Sequence, residues 1–110
     1  MNLRFPRGDY RKIVITNIKD ELSPNDKIIM SVKKNVHSKD YLFQKTLDDG
    51  IKFNSLINRY EIEINNEDTK DLEMGTPYVF DIVIVYGGTK PRTTFGNLTL
   101  TKDVTTDEVG

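Results

Sequence analysis

The chain of 110 residues has no alanine, no cysteine and no tryptophan, one histidine, and a formal net charge of only −1. Each scarcity excludes something. Without cysteine neither a disulfide framework nor a thiolate metal site can form. A pI near 5.8 leaves no basic footprint of the kind that binds phosphate backbones, so no nucleic-acid partner is expected. No segment approaches the run of about 18 apolar residues that a membrane-spanning helix needs, and Met1-Asn2-Leu3-Arg4-Phe5-Pro6 lacks the apolar core of a secretory signal. The expectation is a protein made in the cytoplasm with no membrane partner. The missing alanine matters most for the fold. It is the best helix former, and against its absence stand 11 Ile, 8 Val and 11 Thr, whose branched Cβ atoms favour strands.

Polar breakers recur roughly every 8 to 12 residues, the spacing of an antiparallel sandwich or barrel. Strands are predicted over 9–16, with Ile13 and Ile15 in alternation, and over 27–34, where Ile28, Met30 and Val32 share a face. Ser23-Pro24-Asn25-Asp26 separates the two. Residues 42–47 and 51–54 flank Asp48-Asp49-Gly50, and Asp49-Gly50 can supply the positive φ angles of a tight hairpin. In 59–64, Tyr60, Ile62 and Ile64 point one way and Arg59, Glu61 and Glu63 the other, toward solvent. Asn65, the acids after it and Gly75 describe one or two helical turns with Leu72 as a plug into the core. The longest strand is predicted over 78–86, Gly87-Gly88 turns the chain, and 92–101 returns. One domain over 1–110 is expected, all-β, with about seven strands, one short helical turn, and residues 1–8 and 102–110 as arm and tail.

The long strand is apolar on both faces. Tyr78, Phe80, Ile82, Ile84 and Tyr86 form one row, while Val79, Val83 and Val85 surround Asp81 in the other. A sheet in a two-layer sandwich needs only one apolar face, so the row of Val79, Asp81, Val83 and Val85 requires further cover, by loops of this chain or by a partner. Charge points the same way: Arg4, Arg7, Arg11 and Lys12 crowd the first twelve residues against Asp9, and Asp103, Asp107 and Glu108 face Lys102 in the last ten. Such ends either meet head to tail between copies or stay in solvent.

Chemistry is sparse by comparison. His37 lies in a polar loop beside Ser38 and Asp40, with no nucleophile elbow or oxyanion-hole glycines. Asp48-Asp49 and Glu67-Asp68 have structural roles in a turn and a helix start, and neither matches a calcium loop. Gly87-Gly88-Thr89-Lys90 lacks the spacing of a phosphate loop. Arg7-Gly8-Asp9, the tripeptide of integrin ligands, abuts the start of a strand instead of a loop tip, and Asn97-Leu98-Thr99, a glycosylation acceptor pattern, falls within one. No catalytic residue, metal or cofactor is therefore expected.

Four features follow in order: Arg7-Gly8-Asp9-Tyr10 entering the first strand; Asp68-Thr69-Lys70-Asp71-Leu72-Glu73-Met74-Gly75; Tyr78-Val79-Phe80-Asp81-Ile82; and Thr93 to Leu100 followed by Asp103-Val104-Thr105. This layout resembles the immunoglobulin-like β-sandwich modules of tailed-phage and prophage virion proteins, in particular the N-terminal domain of phage baseplate upper proteins. The resemblance implies an immunoglobulin-like fold, a structural role in a virion tail or baseplate, and partners that are other tail proteins or further copies of this chain. It also implies a tyrosine corner, in which Tyr78 bonds backbone near the turn at Gly75. Asp81 would then need a donor from a neighbouring Thr, from Arg92 or from a partner. An adhesion or carbohydrate-binding module is the alternative, although the ten aromatic residues are scattered over many strands.

Overall fold

Alternation of apolar and polar residues becomes strand almost wherever it occurs. The computed structural model describes residues 2–16, 18, 21–23, 25–85 and 91–102, and these form an all-β fold of eight strands with a single helical turn. The strands are β1 (Asn2–Pro6), β2 (Arg11–Ile15), β3 (Lys27–Lys33), β4 (Phe43–Leu47), β5 (Gly50–Asn54), β6 (Arg59–Ile64), β7 (Tyr78–Val85) and β8 (Arg92–Thr101), with α1 (Asn66–Thr69) between β6 and β7. They hydrogen-bond in the order β1-β8-β7-β3-β4-β5-β6-β2, a mixed sheet that curls on itself. One core results. Ile28, Met30 and Val32 of β3, Tyr78 to Ile84 of β7 in alternation, Leu98 and Leu100 of β8, Ile51, and Tyr60, Ile62 and Ile64 of β6 all bury their side chains in it.

Three expectations change. Within the arm expected over 1–8, Asn2–Pro6 is a strand, because Leu3 and Phe5 alternate with Asn2 and Arg4 and give an edge strand parallel to β8, with Phe5 buried. Pro6 ends that strand, and edge strands tolerate a residue without an N–H. The outer row of β6 is half-buried, with Glu61 accepting from Asn54 Nδ2 at 3.1 Å and lying 4.0 Å from Lys12 Nζ.

The third change is at Asp48-Asp49-Gly50, which is no hairpin. β4 and β5 run parallel through Thr46 and Leu47 opposite Gly50 and Ile51, so the chain coils through a full loop. Positive φ falls on Asp48 (66°) and Gly50 (97°) and skips Asp49, whereas the type I′ turn of an Asp-Gly hairpin needs it at both central positions. Mutual bonds between Thr46 and Asp49, and a bond from Asp48 N–H to the Ile51 carbonyl, hold this corner. It joins the half of the sheet built on β3, β7 and β8 to the half built on β6 and β2. The expected turn at Gly87-Gly88, Tyr86, Pro24 and the tail from Asp103 lie outside the described residues.

Around α1 local chemistry explains local form. Asn65 and Asp68 make a reciprocal capping box, with the Asn65 N–H donating to Asp68 Oδ2 at 2.7 Å. Thr69, and not Leu72, is the fully buried residue here. Leu72 is half-buried and packs against the edge of the core. A hydroxyl can go where a leucine was expected because Thr69 Oγ1 accepts the Gly8 N–H at 2.9 Å.

Candidate functional site

Register fixes what the outer face of the sheet presents. Along β7 the residues alternate strictly, so Val79, Asp81, Val83 and Val85 all stand on the face away from the core, each half-buried. Pairing with β3 sets Lys33 beside Val79, Ser31 beside Asp81 and Ile29 beside Val83. Pairing with β8 sets Asn97, Phe95 and Thr93 on the other side of the same three residues. The result is a patch in which Val79, Val83 and Ile29 surround the Asp81 carboxylate, with a rim of amides, hydroxyls and lysines. The four residues expected to form an interface therefore do share one surface.

Two residues enlarge that surface beyond the expected set. Phe95 projects from β8 with 70% of its surface exposed, and Val36 from the β3–β4 loop with 71%. Between them lies a shallow dip of ≈ 90 Å³ that Val79, Ser31 and Lys33 also line. The signal for Phe95 was present in the sequence. Thr94, Gly96, Leu98 and Leu100 take the inward positions of β8, which leaves Phe95 in the outward row with Thr93 and Asn97. Val36 had none, since it sits in a loop where no period applies.

Among the described residues, neither a neighbouring Thr nor Arg92 donates to Asp81. Among the described residues neither Asp81 nor Lys33, one strand away and two residues along, makes an ion pair or side-chain hydrogen bond. Gln44 Nε2, in contrast, donates to Ser31 Oγ at 3.0 Å in the neighbouring position.

The residues given structural roles serve the frame beneath this face. The Tyr78 hydroxyl, at the start of β7, accepts the Glu73 N–H at 2.8 Å, and Gly75, with φ of 79°, donates its own N–H to the Leu100 carbonyl at 2.8 Å. A second tyrosine does the same elsewhere: Tyr60 Oη accepts the Leu22 N–H at 2.8 Å. Lys45, only 8% exposed, points inward from β4 and ends 2.7 Å from Asp68 Oδ2, so the capping carboxylate also neutralises a buried ammonium. The inward side of Tyr60 was legible from alternation, but neither its hydroxyl partner nor the inward turn of Lys45 was, because a partner for a buried polar group is a tertiary fact.

Elsewhere the chemistry-bearing side chains are held in structural contacts or stand in loops. Arg7 Nη1 donates to the Leu72 carbonyl at 3.2 Å and Asp9 pairs with Arg11 at 2.9 Å, so the Arg-Gly-Asp tripeptide is tied into the turn between β1 and β2. His37 is exposed, and its backbone N–H donates to Asn35 Oδ1. Among the described residues no group of three or more His, Cys, Asp or Glu is placed to hold a metal ion. A wide hollow of ≈ 710 Å³ beside β5 is lined by Leu22, Asp26, Asp48, Lys52, Phe53 and Tyr60 among others. No helix among the described residues is long and apolar enough to cross a membrane. No protein-family model matches the chain, and neither does any curated protein.

Proposed function

We propose that this chain is a structural protein of a phage or prophage virion, a tail or baseplate component that works by protein-protein assembly through an immunoglobulin-like sandwich. The observation that carries the assembly reading is the outer face of β3, β7 and β8, where Phe95 and Val36 are exposed around half-covered valines. A monomer gains nothing from such a surface, and contiguous exposed apolar area marks an interaction site.

Support for the immunoglobulin-like label comes from strand order. β8, β7, β3 and β4 follow one another as strands G, F, C and C′ do in that fold, and β5, β6 and β2 as D, E and B. The first strand departs from the pattern of an A strand beside B, since it pairs in parallel with the last. The Tyr78 hydroxyl bond to Glu73, five residues upstream, has the form of a tyrosine corner.

Mass spectrometry of particles purified after prophage induction tests the reading. The expected result is this chain in stoichiometric amount with tail proteins, encoded among their genes. Its absence from particles, together with a gene set in a metabolic operon, would overturn it. The adhesion alternative predicts glycan binding by the isolated domain, and a negative glycan screen removes it.

A further inference from the structure

We propose that the outer face of β3, β7 and β8 joins two copies of this chain about a two-fold axis, with the Lys33 ammonium of each copy on the Asp81 carboxylate of the other. This rests on the assembly reading above and names its partner.

A two-fold interface brings one patch against itself, so each feature must find its complement on the same patch. Among the described residues, Lys33 and Asp81 are the one cation and the one anion bordering the dip between Val36 and Phe95. Each is half-buried, and neither has a partner within the described part of its own chain. A carboxylate set among valines and beside a phenylalanine loses hydration once that face is covered, and a cation or hydrogen-bond donors brought by the covering surface must offset the loss. A partner with neither at that point would leave Asp81 buried and bare. A second copy brings one automatically.

Geometry agrees with the charges. Lys33 pairs with Val79 and Ser31 with Asp81, so Lys33 and Asp81 occupy diagonal positions on adjacent strands, roughly 7 to 8 Å apart at Cα. An axis lying in the plane of the face, across the midpoint of that diagonal, exchanges the two and makes both ion pairs at once. It sets Val79 near its own counterpart and carries Phe95 of each copy toward the Val36 end of the other. Apolar residues thus meet apolar residues, with the two ion pairs between them.

Area sets the strength. Three strands, β8, β7 and β3, at about 4.8 Å spacing and seven residues at about 3.3 Å give a face of roughly 330 Å² per copy. That lies below the standard of about 800 Å² per partner, so the dimer is a weak one.

Sedimentation equilibrium of the whole chain, from low micromolar to near millimolar, tests this. The wild type is expected to dimerise. Lys33→Asp and Asp81→Lys are each expected to weaken the dimer by about tenfold or more, by setting like charges together. An equimolar mixture of the two variants should dimerise again, since every pair in the mixed dimer is of opposite sign. Phe95→Lys, at an exposed position, should abolish association in all backgrounds without lowering the melting midpoint. A wild type that stays monomeric at the highest concentration overturns the proposal, as does a mixture no tighter than either variant alone. Failure here with the chain still found in virions leaves the assembly reading standing. Dimerisation and rescue by mixing, with the chain absent from particles, would sink the virion reading alone.

Discussion

Tyr78 and Tyr60 do at single positions what cysteines do in many small sandwiches: each ties a loop to the start or middle of a core strand. Their rings are buried and their hydroxyls accept the N–H groups of Glu73 and Leu22. Tyr78→Phe keeps the ring and deletes the bond, so a loss of about 1 kcal/mol is expected from urea unfolding. An unchanged midpoint would remove the corner assignment. Thr69 is a sharper case because it is fully buried and its Oγ1 is the acceptor for Gly8. Thr69→Val preserves volume and leaves that N–H without its partner, with an expected cost of about 1 to 3 kcal/mol, whereas Thr69→Ser should retain most of the bond. Asp68 is more heavily committed. It caps α1 and neutralises Lys45, so Asp68→Ala should cost about 3 kcal/mol, and adding Lys45→Met should recover part of the loss because no bare ammonium then stays buried. If the double variant is less stable than Asp68→Ala, the inward lysine acts through packing and not through charge.

Among the elements, the β4–β5 corner and β1 decide how the sheet closes. Gly50 combines φ of 97° with the Lys45 side chain lying where a Cβ would go. Gly50→Ala must therefore strain the backbone and displace the lysine at once, and a loss of about 2 kcal/mol or more is expected in thermal melts. β1 contributes Phe5 to the core and covers one edge of β8. Phe5→Ala is expected to cost about 3 kcal/mol by the usual penalty for emptying an aromatic site. A mild effect would mean that β1 lies on the core without anchoring it.

For the whole molecule, the question is which surfaces are sealed within the chain. The curl buries one face of the sheet and leaves Val79, Val83 and Val85 half-covered on the other. Val83→Lys is expected to leave the unfolding free energy within about 0.5 kcal/mol of wild type, as surface substitutions do, while shifting any assembly to smaller mass in light scattering. If the variant unfolds, that row belongs to the core and the assembly argument loses its main support. High salt should weaken association less than the charge variants do, because partly buried pairs are screened less than exposed ones.

Composition and period determined a good deal unaided. Without alanine and with thirty β-branched residues the chain had to be strand-built, and β6 and β8 follow from alternation alone, because a period of two directly states which side chains share a face. The row of Val79, Asp81, Val83 and Val85 was legible for the same reason. Alternation does not say which strands meet or in which sense. Asp49-Gly50 carries the local signature of a hairpin, yet tertiary closure made it a parallel corner, since joining the two halves of the sheet mattered more than local turn preference. Leu3 and Phe5 became a strand only because β8 offered a free edge, and Lys45 could turn inward only because α1 delivered Asp68. The lack of alanine fixed the material of the fold, and long-range pairing, which no local pattern encodes, decided its closure and the face it leaves open.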